Sequence, residues 1–180
     1  AETKTKCWQV LPLNPTSYGD SPYQSPAAVA GNPYFIDLEI LAKDGLLTKE
    51  ELLENRHDTL RVDYGWLFNT RYVALRKAYA RFLEKGGNKA ADYKKFLKNN
   101  VHWLPDYSLF MALKVHYNHA VWTSWAEEHK DVNRARKCRA EFEGECGSPE
   151  SYFARVSMTG GRARMDGDRL AIECEMGVSV

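Results

Sequence analysis

Five of the seven prolines fall between residues 12 and 33. Each one fixes φ and withholds a backbone N–H, so no helix or sheet ladder runs unbroken through them. The stretch they interrupt is Trp8–Tyr34, WQVLPLNPTSYGDSPYQSPAAVAGNPY. It opens as a strand: Trp8, Val10, Leu11 and Leu13 make a short apolar run that suits a strand buried on both faces, as in a parallel sheet. Pro12 is awkward inside such a strand and marks its C-terminal edge. Asn14, Pro15, Ser17, Gly19, Asp20, Ser21, Pro22, Ser25 and Pro26 follow, all turn formers, so the chain runs on as a shaped loop. Tyr18, Tyr23 and Tyr34 sit in that loop with Asp20. Rings beside short polar side chains match a pyranose, which shows C–H bonds on one face and hydroxyls around its edge. The competing reading is a rigid loop whose tyrosines pack on the core.

The chain has 180 residues, 44% hydrophobic and 27% charged, an ordinary globular composition for one domain or a little more. Net charge is +1, which gives no electrostatic case for nucleic acid or an anionic membrane. No apolar run approaches the ~20 residues of a membrane span. The N-terminal AETKTK lacks the apolar core of a signal peptide. Cys7, Cys138, Cys146 and Cys174 form no CxxC pair. They fit free thiols in a reducing cytoplasm, or a Cys138–Cys146 disulfide.

From Asp37 the periodicity turns helical. Ile36, Leu38, Ile40 and Leu41 lead to Gly45, a C-terminal stop. Thr48 reads as an N-cap with Glu51 completing a capping box. The clearest helix is expected over about 65–85, where Phe68, Tyr72, Leu75, Tyr79 and Phe82 form one stripe. Arg71, Arg76, Lys77 and Arg81 lie largely off it and read as a solvated face, with an anion site as the rival. Gly86-Gly87 ends that helix, and Asn88 is expected to cap the next, which contains Tyr93, Phe96 and Leu97. A further helix is expected to start at Asp106, with Leu109, Phe110, Leu113 and Tyr117 on one face. Trp122 and Trp125 follow, then a polar run from Lys130 to Arg139. At Gly144, Gly147, Ser148 and Pro149 the pattern breaks. Beyond it Tyr152, Ala154, Val156 and Met158 alternate, as do Leu170, Ile172, Cys174, Met176, Val178 and Val180. With turn signals at Thr159-Gly160-Gly161 and Asp166-Gly167-Asp168, this reads as an antiparallel hairpin or three-stranded meander, apolar on one face.

The loop run Trp8–Leu13, Tyr18-Gly19-Asp20-Ser21-Pro22-Tyr23-Gln24-Ser25 and Gly31-Asn32-Pro33-Tyr34 resembles the amylomaltases, the disproportionating 4-α-glucanotransferases. RVDYGWL, NNVHWLPDYSLFMALK and WTSWAEE, in that order, resemble the same family, and the resemblance covers about residues 7–142. It implies an α/β chain: a fragment of a (β/α)8 barrel with a mostly α-helical insertion (1–143), followed by a short antiparallel β hairpin or meander of unknown origin (144–180). It implies transfer of α-1,4-glucan segments through a covalent glycosyl-enzyme, with no organic cofactor or metal, and α-1,4-glucans as partners: maltooligosaccharides, starch or glycogen. At matching positions it places Tyr23 in the donor pocket at the cleavage point, and Tyr18 and Tyr64 around a secondary glucan site outside the catalytic cleft. Asp20 and Ser21 would shape the loop, with Ser21 touching the glucan.

Retaining glycosyl transfer needs two carboxylates flanking the scissile bond. In the family resembled these lie on later barrel strands, which no part of this chain matches, so no catalytic residue is assigned. Nothing in the spacing of Asp20, Asp37 and Asp63 makes a pair of them. His116 and His119 stand at i, i+3, compatible with a metal but lacking a third ligand, and surface histidines are the simpler account. No phosphate loop and no nucleophile elbow is present. Three readings stay open: an incomplete amylomaltase, a non-catalytic glucan-binding or structural module, and a folded domain without carbohydrate activity.

Overall fold

The computed structural model describes residues 11–56 and 60–139, together with the backbone of 161–166 and 169–174. Seven α-helices occupy the described residues before Gly161: α1 Leu38–Lys43, α2 Lys49–Glu54, α3 Tyr64–Glu84, α4 Ala91–Asn99, α5 Leu104–His116, α6 Glu127–Lys130 and α7 Val132–Lys137. Two strands follow, β1 Gly161–Asp166 and β2 Arg169–Cys174, paired antiparallel with Gly161 opposite Cys174 and Asp166 opposite Arg169. Residues 152–158 and 175–180 of the alternating tail, and the direction in which the hairpin side chains face, lie outside the described residues.

The strand expected to begin at Trp8 is not formed where it is described. Residues 8–10 lie outside the described residues, and Leu11–Leu13 are exposed and carry no ladder. Pro12 has no N–H to give, and the Leu13 carbonyl accepts across the loop from Asn32 N–H at 3.1 Å.

Local signals start and stop the first helices. The Asp37 carboxylate accepts from Glu39 N–H and starts α1. Gly45 ends it with φ +69°, a left-handed turn closed by Leu46 N–H on the Leu41 carbonyl. The Thr48 hydroxyl accepts from Glu51 N–H, and Glu51 accepts from Thr48 N–H, a complete capping box on α2. Asp63 caps α3 by accepting from Trp66 N–H. Asn88 does not cap α4: it lies within a 3-10 turn over Gly87–Lys89, and α4 starts from Ala90 without a side-chain cap. The α5 helix begins at Leu104, ahead of the expected Asp106, because Pro105 suits the first turn and needs no acceptor there.

Two apolar clusters hold these elements. The larger joins Ile36, Leu38, Leu41, Leu46 and Leu47 to Leu75, Ala78, Tyr79 and Phe82 of α3 and to Tyr93 of α4. Tyr93 meets Phe82 edge-on at 5.3 Å. A Cβ on Gly87 would run into that same Phe82 ring, so a larger residue there would have to displace it. The smaller cluster sets Leu109, Ala112 and Leu113 of α5 against Trp125 and Ala135. Trp125 stacks on Tyr117 with ring centroids 5.3 Å apart and planes 10° from parallel. Asp106 and Arg136 close this side with a bidentate pair at 2.6 and 2.9 Å.

The α3 stripe is buried only along its C-terminal half. Leu75, Tyr79 and Phe82 are in the core, Tyr72 is half-buried, and Phe68 is 46% exposed. The basic face is not simply solvated either. Arg81 forms a fork on Glu51, at 2.6 and 3.0 Å, and also donates to the Leu46 carbonyl at 2.9 Å. Lys77 adds a contact to Glu51 at 3.4 Å. Lys85 donates to the Asp44 and Gly45 carbonyls. Arg71 donates to the Tyr34 carbonyl at 3.1 Å. The cations of α3 thus staple the α1–α2 hairpin and the loop before it to the long helix.

Leu75 is fully buried, so Leu75→Ala is expected to cost ~2–5 kcal/mol in chemical denaturation, whereas Phe68→Ala is expected to change stability by less than about 1 kcal/mol. The hydrogen bonds from Arg81, followed by the Thr48 N–H and Lys77, hold Glu51 down to a pKa of about 2 from 4.5. A depressed carboxylate stabilises the fold above its unfolded pKa, and the effect is lost as pH falls through the folded value. Glu51→Gln is therefore expected to cost about 2 kcal/mol at pH 7, with the deficit shrinking between 4.5 and about 2 in urea titrations at stepped pH.

Candidate functional site

The loop is held by its own polar side chains. The Asn14 amide donates to the Ala28 carbonyl at 2.7 Å and the Ala30 carbonyl at 3.2 Å, closing the loop's base. The Ser25 hydroxyl bonds the backbone of Ala27, and buried Asn32 accepts from Tyr34 N–H at 2.9 Å. The Ser21 hydroxyl accepts from Tyr23 N–H at 3.3 Å, which makes it a turn former. Gly19 and Asp20 are both left-handed, with φ +78° and +55°, inside a short 3-10 turn at Tyr18–Asp20. Glycine takes that conformation freely, and aspartate is among the few residues that tolerate it.

This backbone sends the expected residues in two directions. Tyr18 is 93% exposed and Tyr23 74% exposed, so both rings stand in solvent. Tyr64 opens α3 and leans on Tyr34 across 6.2 Å. Asp20 also acts electrostatically on Tyr34. Burial, then the Asp20 carboxylate, then Tyr64 push the Tyr34 hydroxyl above its ordinary value of 10. Asp20 and Tyr64 thus both act on Tyr34, although 44 residues separate the two in the chain. Asp37 and Asp63 are committed to capping α1 and α3, so neither is presented as a second acid beside Asp20.

A row of rings continues from this pair. Tyr34 meets Tyr72 edge-on at 5.8 Å, Tyr72 meets Phe68 at 5.9 Å, and Phe68 meets His119 at 5.3 Å. Tyr64, Phe68 and Tyr72 are spaced four apart, which places them on one side of α3. That spacing is the sequence signal for the row, and Phe68 and Tyr72 appear in the sequence only as core residues. His119 is not a helix-face partner of His116. It lies beyond the end of α5, where Asn118 and His119 are both left-handed with φ +49° and +60°. Burial, then Lys114 and Arg76, lower its pKa below 6.5. His116 packs instead beside Tyr117 and His129. Among the described residues no group of three or more His, Cys, Asp or Glu converges to hold a metal ion. Cys138 carries a free thiol.

The exposed loop rings form an open surface. A recess of about 410 Å³ lies between α1 and α2, lined by Ile36, Asp37, Leu52 and Arg56. A second, of about 300 Å³, lies beside α5 against Trp122, Trp125 and His129. None of Tyr18, Asp20, Ser21, Tyr23 or Tyr64 lines either one.

A family model described as 4-alpha-glucanotransferase matches residues 1–148. The chain is 49% identical over 127 residues to a 4-alpha-glucanotransferase of Clostridium butyricum, covering 69% of this chain and 26% of that protein. It is 41% identical over 146 residues to that of Thermus thermophilus, covering 78% of this chain and 29% of the relative. In structure it is similar to an amylomaltase from Streptococcus agalactiae in complex with acarbose, with a TM-score of 0.72 and 33% identity, over 85% of this chain and 32% of that one. The chain thus spans 26–29% of the length of these two curated relatives. Among the described residues no helix is long and apolar enough to cross a membrane.

The Tyr34 environment gives a direct check on the site's geometry. Its ring resonances are expected to titrate above 10. Asp20→Asn is expected to lower that midpoint, because removing a nearby negative charge makes the phenolate less costly. An unchanged midpoint would mean that Asp20 does not face Tyr34.

Proposed function

Because the chain belongs to the 4-alpha-glucanotransferase family, we propose that it supplies an α-1,4-glucan-binding surface of such an enzyme, built on Tyr18, Asp20, Ser21, Tyr23 and Tyr64. The activity of the whole enzyme is transfer of α-1,4-glucan segments, drawn from maltooligosaccharides, starch or glycogen in the cytoplasm, through a covalent glycosyl-enzyme and without a cofactor. The family match over 1–148 supports a division into an amylomaltase-like part (1–143), a barrel fragment with its helical insertion, and a β tail (144–180). The observation that carries the reading is the contact of Tyr64 with Tyr34, on which Asp20 also acts, with Tyr18, two residues before Asp20, facing solvent.

Physically, Tyr18 and Tyr64 offer apolar faces to a sugar's C–H surface, each square ångström removed from water contributing about 25 cal/mol. Asp20 accepts from hydroxyl groups at the ring's edge, which replaces water bonds with little net gain. Tyr23, standing clear of the core, is left free to close over a sugar at the cleavage point. Association is itself costly, so a shallow surface of two or three rings reaches about millimolar affinity. The same geometry favours binding over catalysis for this chain alone, since Asp37 and Asp63 are spent as helix caps.

Two measurements test this. Purified free of host enzymes, the chain is expected not to disproportionate maltotriose; release of glucose with longer maltodextrins would overturn that. With maltoheptaose, the Tyr18, Tyr23 and Tyr64 resonances are expected to shift, and Tyr18→Ala and Tyr64→Ala to abolish the shifts. Absence of any shift in the folded chain, well above millimolar ligand, would leave the loop as scaffold.

A further inference from the structure

We propose that the glucan surface does not end at Tyr64 but continues along α3 to Phe68 and His119, forming an aromatic track that selects longer α-1,4-glucans over short ones. The inference rests on the glucan-binding reading above and adds two residues to it.

Phe68 is the first reason. It sits one turn after Tyr64, about 6 Å along the helix, a spacing close to the length of one pyranose unit. It belongs to a stripe that is otherwise buried, yet 46% of it is exposed. Its ring is not loose. Tyr72 holds it edge-on at 5.9 Å and His119 at 5.3 Å, in planes 67° and 78° away. A ring clamped by its neighbours while still facing solvent loses little freedom when a flat ligand settles on it. Tyr34 and Tyr72 stand behind Tyr64 and Phe68 as half-buried supports, in contact with each other at 5.8 Å. The exposed rings are therefore mounted on one continuous aromatic base.

His119 is the second reason. Two consecutive left-handed residues, Asn118 and His119, carry the chain off α5 and bring this imidazole over Phe68. Such backbone is unfavourable for residues other than glycine, though asparagine and histidine bear it better than most. Lys114 fastens the turn by donating to the His119 carbonyl at 3.3 Å, and His119 N–H bonds back to the Lys114 carbonyl at 2.6 Å. Burial, then Lys114 and Arg76, favour the neutral imidazole. A neutral imidazole offers one donor and one acceptor, the pairing that a sugar hydroxyl needs. The ligand class follows from this mixture of ring faces and neutral hydrogen-bonding groups.

The test compares ligand length across single variants of the whole chain, by NMR titration with maltose and maltoheptaose. Wild type is expected to bind maltoheptaose more tightly than maltose. Phe68→Ala is expected to raise the maltoheptaose Kd about fivefold, the loss of one stacked ring, and to leave maltose within about twofold. His119→Asn removes the ring while keeping a residue that accepts the left-handed turn, and is expected to act in the same direction. Tyr64→Ala weakens both ligands. If Phe68→Ala and His119→Asn leave maltoheptaose unchanged while Tyr64→Ala weakens it, the track is overturned and the Tyr64 site stands. If no ligand binds the folded wild-type chain, the underlying glucan reading falls and the track with it. Far-UV circular dichroism of each variant separates lost binding from lost fold.

Discussion

One carboxylate joins the first part of the chain to the rest. Glu51 closes the capping box of α2, takes both prongs of the Arg81 guanidinium and is approached by Lys77. Arg81 in turn donates to the Leu46 carbonyl, in the turn that follows Gly45. A backbone cap, a helix–helix fork and a turn carbonyl thus share two side chains. Such charge-assisted bonds are stronger than neutral ones, and their planar fork fixes orientation as well as distance. The apolar cluster beneath, around Leu41, Leu75 and Phe82, supplies non-directional cohesion. The Glu51–Arg81 fork fixes α3 against α2 near its C-terminal end, while at its N-terminal end Tyr64 meets Tyr34 of the loop.

Much of the helical part is legible in the sequence because its signals are local. Gly45, Thr48 with Glu51, and the α3 stripe each act within a few residues, and each appears where the spacing puts it. What escapes is set by distant partners. Arg71 and Arg81 read as solvated cations because their acceptors, the Tyr34 carbonyl and Glu51, lie 37 and 30 residues away. Periodicity states which residues share a face but not how far the cover extends, so Phe68 reads as core although cover is incomplete there. The strand expectation at Leu11–Leu13 fails for a related reason. An apolar run becomes a buried strand only where neighbouring strands take its hydrogen bonds, and no such neighbour occurs among the described residues.

The loop shows the same division. The chemical kinds that suit a sugar, tyrosines among short polar groups, are plain in the residues between Tyr18 and Tyr34. Their grouping is not. Tyr64 joins Tyr34 where α3 is docked by its apolar stripe and by Arg71 and Arg81, and Asp20, in the left-handed turn with Gly19, acts on Tyr34. Ser21, expected by resemblance to shape the loop and touch the glucan, accepts from Tyr23 N–H within its own turn and keeps its hydroxyl proton to donate.

The near-complete exposure of Tyr18 has a kinetic side. A ring that nothing holds samples several rotamers, and a ligand must select one each time it lands. On the proposed surface, encounter would need no opening step, and a weak complex there would be short-lived. A polymer gripped by such rings and by clamped ones such as Phe68 can shift along the surface one contact at a time, keeping some contacts while others let go. On the proposed glucan surface, brief individual contacts of this kind would hold a long chain without trapping it.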